Sequence, residues 1–279
     1  MSKFIVVGGV AGGATVATRL RRLNERAEIV LFEKGEYISF GNCGLPYYIG
    51  GVISGREKLI LQTPKELADR YNVDVRVNSE VVAIDRANKK VTVKDLANQK
   101  EYAESYDQLF LAPGGSPFRP PIAGGDSKRV FTLRDIPDAD LIINYIRDHK
   151  PKSVALVGAG FIGVELAENF RALNLEVNLF QLSDQVLPIL DREMVPEIHG
   201  RLRQNGVNLY LNNSVEAIAE GSDGRLSLKL KNGTLVADFV VFSIGVRAES
   251  KIAKEAGLET NERGGIKVDS RQRTSDENI

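Results

Sequence analysis

Two copies of one strand, glycine turn, helix and strand unit predict an α/β fold of two three-layer domains with parallel sheets. Their first glycines, Gly8 and Gly158, stand 150 residues apart, so each unit can own a domain. Each copy is followed by alternating segments that read as an antiparallel meander, and each closes on a strand ending in a glycine turn. The same order of elements twice over points to an internal duplication.

In the first copy, "KFIVVGGVAGGATVATRLRRLNERAEIVLFEKG", Phe4 to Val7 is a β-branched and aromatic strand. Gly8 to Gly13 is the turn, Ala14 to Leu23 has helical spacing, and Ile29 to Phe32 is the second strand, ending at Glu33. This is the Rossmann-like dinucleotide fingerprint. Its glycines let backbone approach a pyrophosphate, which then sits on the positive end of the helix. Glu33 follows Gly13 by 20 residues, where a carboxylate can hydrogen-bond an adenosine ribose. Val10 departs from the pattern by replacing its middle glycine.

The second copy, "KSVALVGAGFIGVELAENFRALNLEVNLFQLSD", carries the full pattern at Gly158, Gly160 and Gly163. Two fingerprints in one chain imply two nucleotides. This copy ends in Gln181, which can hydrogen-bond a ribose hydroxyl but does not repel a 2′-phosphate. No arginine cluster is present to attract one, so NADH is favoured with NADPH tolerated. The alternative is that Gln181 points to solvent and the choice is made elsewhere.

Between the copies, Val81–Ile84 and Val91–Val93 alternate around "ANKK", and "YDQLFLAPGG" is a buried strand closing at Pro113 and Gly114. "SPFRPP" is a linker-like break. After the second copy, "NLYLNNSVEAIAEG", "RLSLKLKNGTLVA" and "DFVVFSIGVRAE" repeat this closure.

At 279 residues and 43% hydrophobic, the chain can bury two cores. Lys+Arg and Asp+Glu balance at 37 each, which argues against a nucleic-acid surface. No apolar run approaches a membrane span. The N-terminal "FIVVGGVAGGATVA" loosely mimics a signal peptide, but the glycine cluster and the following "TRLRR" suit a strand, turn and helix better. A single cysteine allows no internal disulfide, so a reducing, cytoplasmic location is expected.

That cysteine lies in "ISFGNCGLPYYIGG". Cys43 stands between Asn42 and Gly44, just before "LPYY", where a helix can begin with Pro46 in its first turn. A thiol near a helix N-terminus is a nucleophile at neutral pH, whereas a structural cysteine sits inside a regular apolar pattern. The context favours a reactive thiol. His149 and His199, the only histidines, lie in helix-end contexts and read as solvent-facing, and no metal site is expected. Tyr47 and Tyr48 read as packing residues.

The stretches "GGVAGGA", "FEKGEYISFGNCGLPYYIGG", "YDQLFLAPGG", "GAGFIGVELAE" and "GGIKVDSRQRTSDENI" together resemble the FAD- and pyridine-nucleotide-dependent disulfide reductases of glutathione-reductase-like fold. Within them the chain is most similar to the coenzyme A-disulfide reductase and CoA-persulfide reductase group. The resemblance implies three regions: 1–115 as the first part of an FAD-binding domain, 116–246 as an inserted NAD(P)H-binding domain, and 247–279 as a return to the FAD domain. It also implies a C-terminally truncated piece, because the family continues into a Gly-Asp strand and a dimerisation domain. A homodimer is expected for the full-length parent, and the family's acid-donating tyrosines belong to that later domain.

By the same resemblance, FAD contacts fall on Gly8, Val10, Ala11, Gly12, Glu33, Lys34, Asn42, Val81, Pro113, Gly114 and Arg134. NAD(P)H contacts fall on Gly158, Gly160, Phe161, Ile162, Gly163, Glu165, Gln181 and Gly245. For Glu165, a place near the nicotinamide competes with a plain helix-surface role. Thr15, Arg19 and Arg22 match positions that contact coenzyme A, whose phosphates suit arginine. Ser39 and Asn42 match positions that orient substrate. Two positions depart from the family pattern: Arg19 stands where Gln is expected, and Tyr71 where Lys is expected.

The implied activity is reduction of coenzyme A disulfide or persulfide by NAD(P)H through FAD and a Cys43 mixed disulfide. The first alternative is an NADH oxidase or peroxidase working through a Cys43 sulfenic acid. Those relatives carry a His in the first glycine turn, where this chain has Ala11. The second is a nucleotide-binding fragment without catalysis.

Overall fold

The computed structural model describes residues 2–221 and 223–279. In chain order its first elements are β1 (Lys3–Val7), α1 (Ala11–Leu23), β2 (Glu28–Phe32), α2 (Leu45–Ile49), α3 (Pro64–Tyr71), β3 (Asp74–Arg76), β4 (Ser79–Asp85), β5 (Lys90–Asp95), β6 (Lys100–Ser105), β7 (Gln108–Leu111) and β8 (Gly115–Pro117). There follow β9 (Val130–Thr132), α4 (Ile136–His149), β10 (Ser153–Val157), α5 (Phe161–Ala172), β11 (Glu176–Phe180), α6 (Val195–Gln204) and β12 (Val207–Tyr210). The last are β13 (Val215–Glu220), β14 (Leu226–Leu230), β15 (Gly233–Ala237), β16 (Phe239–Phe242), β17 (Val246–Ala248) and α7 (Lys251–Glu255).

The chain divides into two compact units, one of Met1–Gly41, Ile60–Ser116 and Arg247–Ile279, the other of Asn42–Leu59 and Pro117–Val246. The first holds a parallel sheet in the order β3-β2-β1-β7 and a separate antiparallel meander, β4-β5-β6. One face of its sheet packs on Ala17 of α1 and Leu67 of α3. The other face packs under the meander and α7, around Phe32, Val91, Val93 and Ala253. Burial on both faces explains why "IVV" and "IVLF" run as unbroken apolar stretches.

The second unit repeats this plan with five parallel strands, β12-β11-β10-β16-β9, and the meander β13-β14-β15. Both meanders shift register at the same place, between Val81 and Ala83 and between Val215 and Ala217. A bulge bends its strand, and nothing in the residue types announces it.

One sequence expectation needs correction: the first helix begins at Ala11, not Ala14, so Ala11 and Gly12 form its first turn. The stretch Asn42–Leu59 groups with the second unit, where α2 packs on α4 and α5. Gly50 makes that contact possible, since a Cβ there would lie 2.0 Å from Asn169 Oδ1.

Candidate functional site

Both glycine turns are tied into their sheets by the same bonds. Gly8 N–H donates to Phe32 O and Gly158 N–H to Phe180 O, each at 2.8 Å. From the neighbouring strand end, Ala112 N–H reaches Val7 O and Ser243 N–H reaches Val157 O, also at 2.8 Å. Gly8 and Gly158 have φ of +95° and +105°, in the region that favours glycine. Helix and turn then approach so closely that a Cβ on Gly13 would lie 1.6 Å from Gly8 O, and one on Gly163 2.0 Å from Gly158 O.

The side chain after the second strand completes each turn. Glu33 accepts from Gly9 N–H at 2.7 Å through Oε2 and from Gly35 N–H at 2.8 Å through Oε1. Gln181 accepts from Ala159 N–H at 2.8 Å through Oε1 and donates to Ser183 Oγ at 2.8 Å through Nε2. Gln181 is therefore aimed into its turn rather than out to solvent.

A cavity of about 320 Å³ opens at the first turn, lined by Gly8, Glu33, Lys34, Val81 and Pro113 from the expected set. Its unexpected walls include Glu80, Val82, Glu249, Lys251, Ile252 and Glu255. Sequence reasoning missed these, because α7 carries no motif and Glu80 and Val82 merely flank a meander position. A second cavity, of about 690 Å³, is lined by Gly158, Gly160, Phe161, Ile162, Gln181 and Gly245 from the expected set. Its unexpected walls include Phe118, Leu182, Pro188, Asn213 and Ser243. Asn213 Oδ1 is buried without a hydrogen-bond partner among the described residues.

The residues fit a nucleotide in each unit. The first cavity runs from the Gly8 turn to Glu33, the span from pyrophosphate to ribose. At the second, Gly160 has φ −74° and ψ −171°, which any residue adopts, and a Cβ there would meet no atom within 4 Å. Its glycine leaves room above the turn and relieves no strain. At the matching place Val10 has φ −85° and ψ −123°, outside the α and β regions, so the two turns differ in backbone as well as in side chain.

Ala11, Gly12, Thr15, Arg19 and Arg22 form an exposed stripe on α1, with Thr15 Oγ1 donating to Ala11 O at 2.7 Å. Tyr71 ends α3: its carbonyl accepts from Arg21 Nε at 2.8 Å, its ring packs on the core, and Arg70 lies 5.4 Å above it. That packing explains how a tyrosine replaces the expected lysine. Ser39 has φ +45° and donates its N–H to Gly9 O at 3.0 Å. Gly114 follows Pro113 with φ +73°.

Cys43 is exposed, in a 3-10 turn of Asn42–Gly44 that leads into α2. Within the second unit, Asn42 Nδ2 donates to Arg134 O at 3.3 Å. Tyr48 OH donates to Asp140 Oδ1 at 3.1 Å, and Arg56 pairs with Asp140 Oδ2 at 2.7 Å. The turn that presents the thiol is thus held at Asn42, and the segment that follows it at Tyr48 and Arg56. Glu165 is half-buried on α5; burial first, then Glu168, raises its carboxyl above the usual range. Glu165 in turn is the main cause that raises the Tyr47 phenol.

The histidine expectation holds for His149, which is exposed and stacks on Tyr145 at 4.4 Å. It fails for His199, which lies inside α6 and accepts a backbone hydrogen bond from Val186. Among the described residues, no metal-binding cluster and no membrane-spanning helix is present.

A coenzyme A disulfide reductase of Staphylococcus haemolyticus (strain JCSC1435) is 34% identical over all of this chain, which spans 62% of that relative's length. The solved structure of reduced Bacillus anthracis CoADR-RHD superposes on the whole chain with a TM-score of 0.96 at 46% identity, over 50% of its own length. The water-forming NADH oxidase from Lactobacillus brevis, solved bound to NADH, gives 0.95 at 31% identity, over the whole chain and 61% of its own length. The pyridine nucleotide-disulphide oxidoreductase model matches residues 2–279, and the chain, with a glycine cradle and a cavity in each unit, belongs to that family.

Proposed function

We propose that this chain forms the nucleotide-binding and thiol-bearing part of a flavin-dependent NAD(P)H:disulfide reductase acting on coenzyme A disulfide or CoA persulfide. The observation that carries the reading is the exposed Cys43 on a turn pinned to the second unit, in a chain with no other cysteine. NAD(P)H, when bound, would supply two electrons, and FAD would relay them.

Gly8, Glu33, Lys34 and Pro113 would hold FAD in the first cavity, and Gly158, Gly160 and Gln181 would hold NAD(P)H in the second. The glycine-turn N–H groups and helix N-termini of α1 and α5 favour the pyrophosphates. Cys43 thiolate attacks one sulfur of coenzyme A disulfide; a Cys43–S–S–CoA bond forms, the substrate S–S bond breaks, and one coenzyme A thiolate leaves. Two electrons then release the second thiolate and regenerate Cys43. Arg19 and Arg22, exposed on α1, would meet coenzyme A phosphates.

The test is the visible spectrum of the purified chain with NADH and coenzyme A disulfide added in turn. A flavin band that bleaches with NADH and recovers with the disulfide, but not in Cys43→Ser, is the expected result. Recovery by oxygen alone at an equal rate would favour oxidase chemistry, and a colourless protein would reduce the chain to a nucleotide-binding piece.

A further inference from the structure

We infer that His199 is a positioning residue for the coenzyme cavity of the second unit, holding the loop 183–190 through a hydrogen bond to Val186. The inference rests on the reading of that cavity as the NAD(P)H site. Val186 is fully buried, and its N–H donates to His199 Nε2 at 3.1 Å. On either side of this point the loop is stitched to the glycine turn. Leu187 N–H donates to Ala159 O at 2.8 Å, while Pro188 lines the cavity. Gln181 donates to Ser183 Oγ, which donates to Gln185 O at 3.0 Å, and Gln185 Nε2 donates to Leu190 O at 2.9 Å.

Leu187 itself has φ +45°, in the left-handed region that a leucine leaves unless its surroundings hold it there. Its neighbour's bond to His199 is one of those restraints. Without the imidazole, the Val186 N–H is a buried donor with no acceptor, and the loop relieves this by moving toward water. That motion displaces Pro188 and Leu187, and so the wall of the cavity and the contact to Ala159.

The acceptor role requires a neutral imidazole. Arg203, one turn along α6, is the charged group that acts on the imidazole; Glu197 and Arg201 share that helix, the turn packed before it carries Arg192 and Glu193, with Arg192 paired to Asp184 of the loop, and β12, which also packs on α6, contributes none. Burial, and then Arg203, lower the histidine below its usual range. The sign follows: the bond is present at neutral pH and lost as the medium is acidified below that range.

The test is NADH binding, followed by fluorescence, in the full chain and in His199→Leu and His199→Gln. His199→Leu removes the acceptor and should raise the Kd about tenfold, corresponding to about 1.4 kcal/mol. His199→Gln keeps an acceptor oxygen and should restore most of the affinity. Wild-type affinity should weaken as the medium is acidified below the usual histidine range, while His199→Gln stays flat. Equal affinity in wild type and His199→Leu overturns the inference, as does an equal loss in both variants. No NADH binding by the wild-type chain overturns the coenzyme site itself, a separate and recognisable failure.

Discussion

The two glycine turns share every backbone bond that ties them to their sheets, yet they differ in the two side chains nearest a ligand. The first has Val10 and Glu33; the second has Gly160 and Gln181. In both, the side chain after the second strand accepts from the N–H that follows the first glycine. Glutamate and glutamine are therefore interchangeable in their structural task, closing the turn. What differs is the second contact: Glu33 takes another N–H, from Gly35, while Gln181 gives a proton to Ser183. A carboxylate suits a turn with two donors, and an amide suits one donor and one acceptor. The charge of the ribose-reading position is thus tied to the loop that follows it.

Breaking the shared part should have the largest effect. In Gly8→Ala the new Cβ falls 2.1 Å from Ala112 O at positive φ, and in Gly158→Ala 2.5 Å from Ser243 O. We expect a loss of about 3 kcal/mol or more for the first and somewhat less for the second, measured by urea unfolding. Wild-type stability in either variant would mean that the turn is not under this constraint.

Gly160→Val, which copies Val10 into the second unit, sharpens the contrast between fold and ligand. Its backbone angles suit any residue and its Cβ meets no atom, so the melting temperature should not change. NADH affinity should fall at least about tenfold, because the side chain fills the space above the turn. A stability loss without a binding loss would reverse the assignment.

The smallest effect is expected from exchanging the strand-end residues. Glu33→Gln leaves one of two N–H groups without an acceptor, at about 1 kcal/mol. Gln181→Glu cannot donate to Ser183, costs less than that, and should shift preference further from NADPH by repelling its 2′-phosphate. Equal unfolding midpoints for both variants, with an unchanged NADPH to NADH ratio, would remove the difference drawn between the two turns.

Much of this was legible in the residues. Local patterns marked the two βαβ units, the meanders and the turn at Cys43, because β-branched runs, glycines of required conformation and Pro46 act over a few neighbours. The expected nucleotide residues Gly8, Glu33 and Val81 come together, as do Gly158, Gln181 and Gly245, because the fingerprint encodes a fold that gathers strand ends. The walls supplied by α7, Asn213 and Pro188 were not legible, since each is an ordinary residue brought in from a distant part of the chain.

The sequence by itself determined the duplication, the two glycine cradles and the single thiol, all consequences of local geometry or of counting. Only the tertiary structure decided that α2, which follows the Cys43 turn, packs on α4 and α5 of the second unit, that helix α1 starts at Ala11, and that His199 serves a buried N–H. Those outcomes depend on which distant surfaces meet and which backbone donors they bury, and neither is written in the spacing of neighbouring residues.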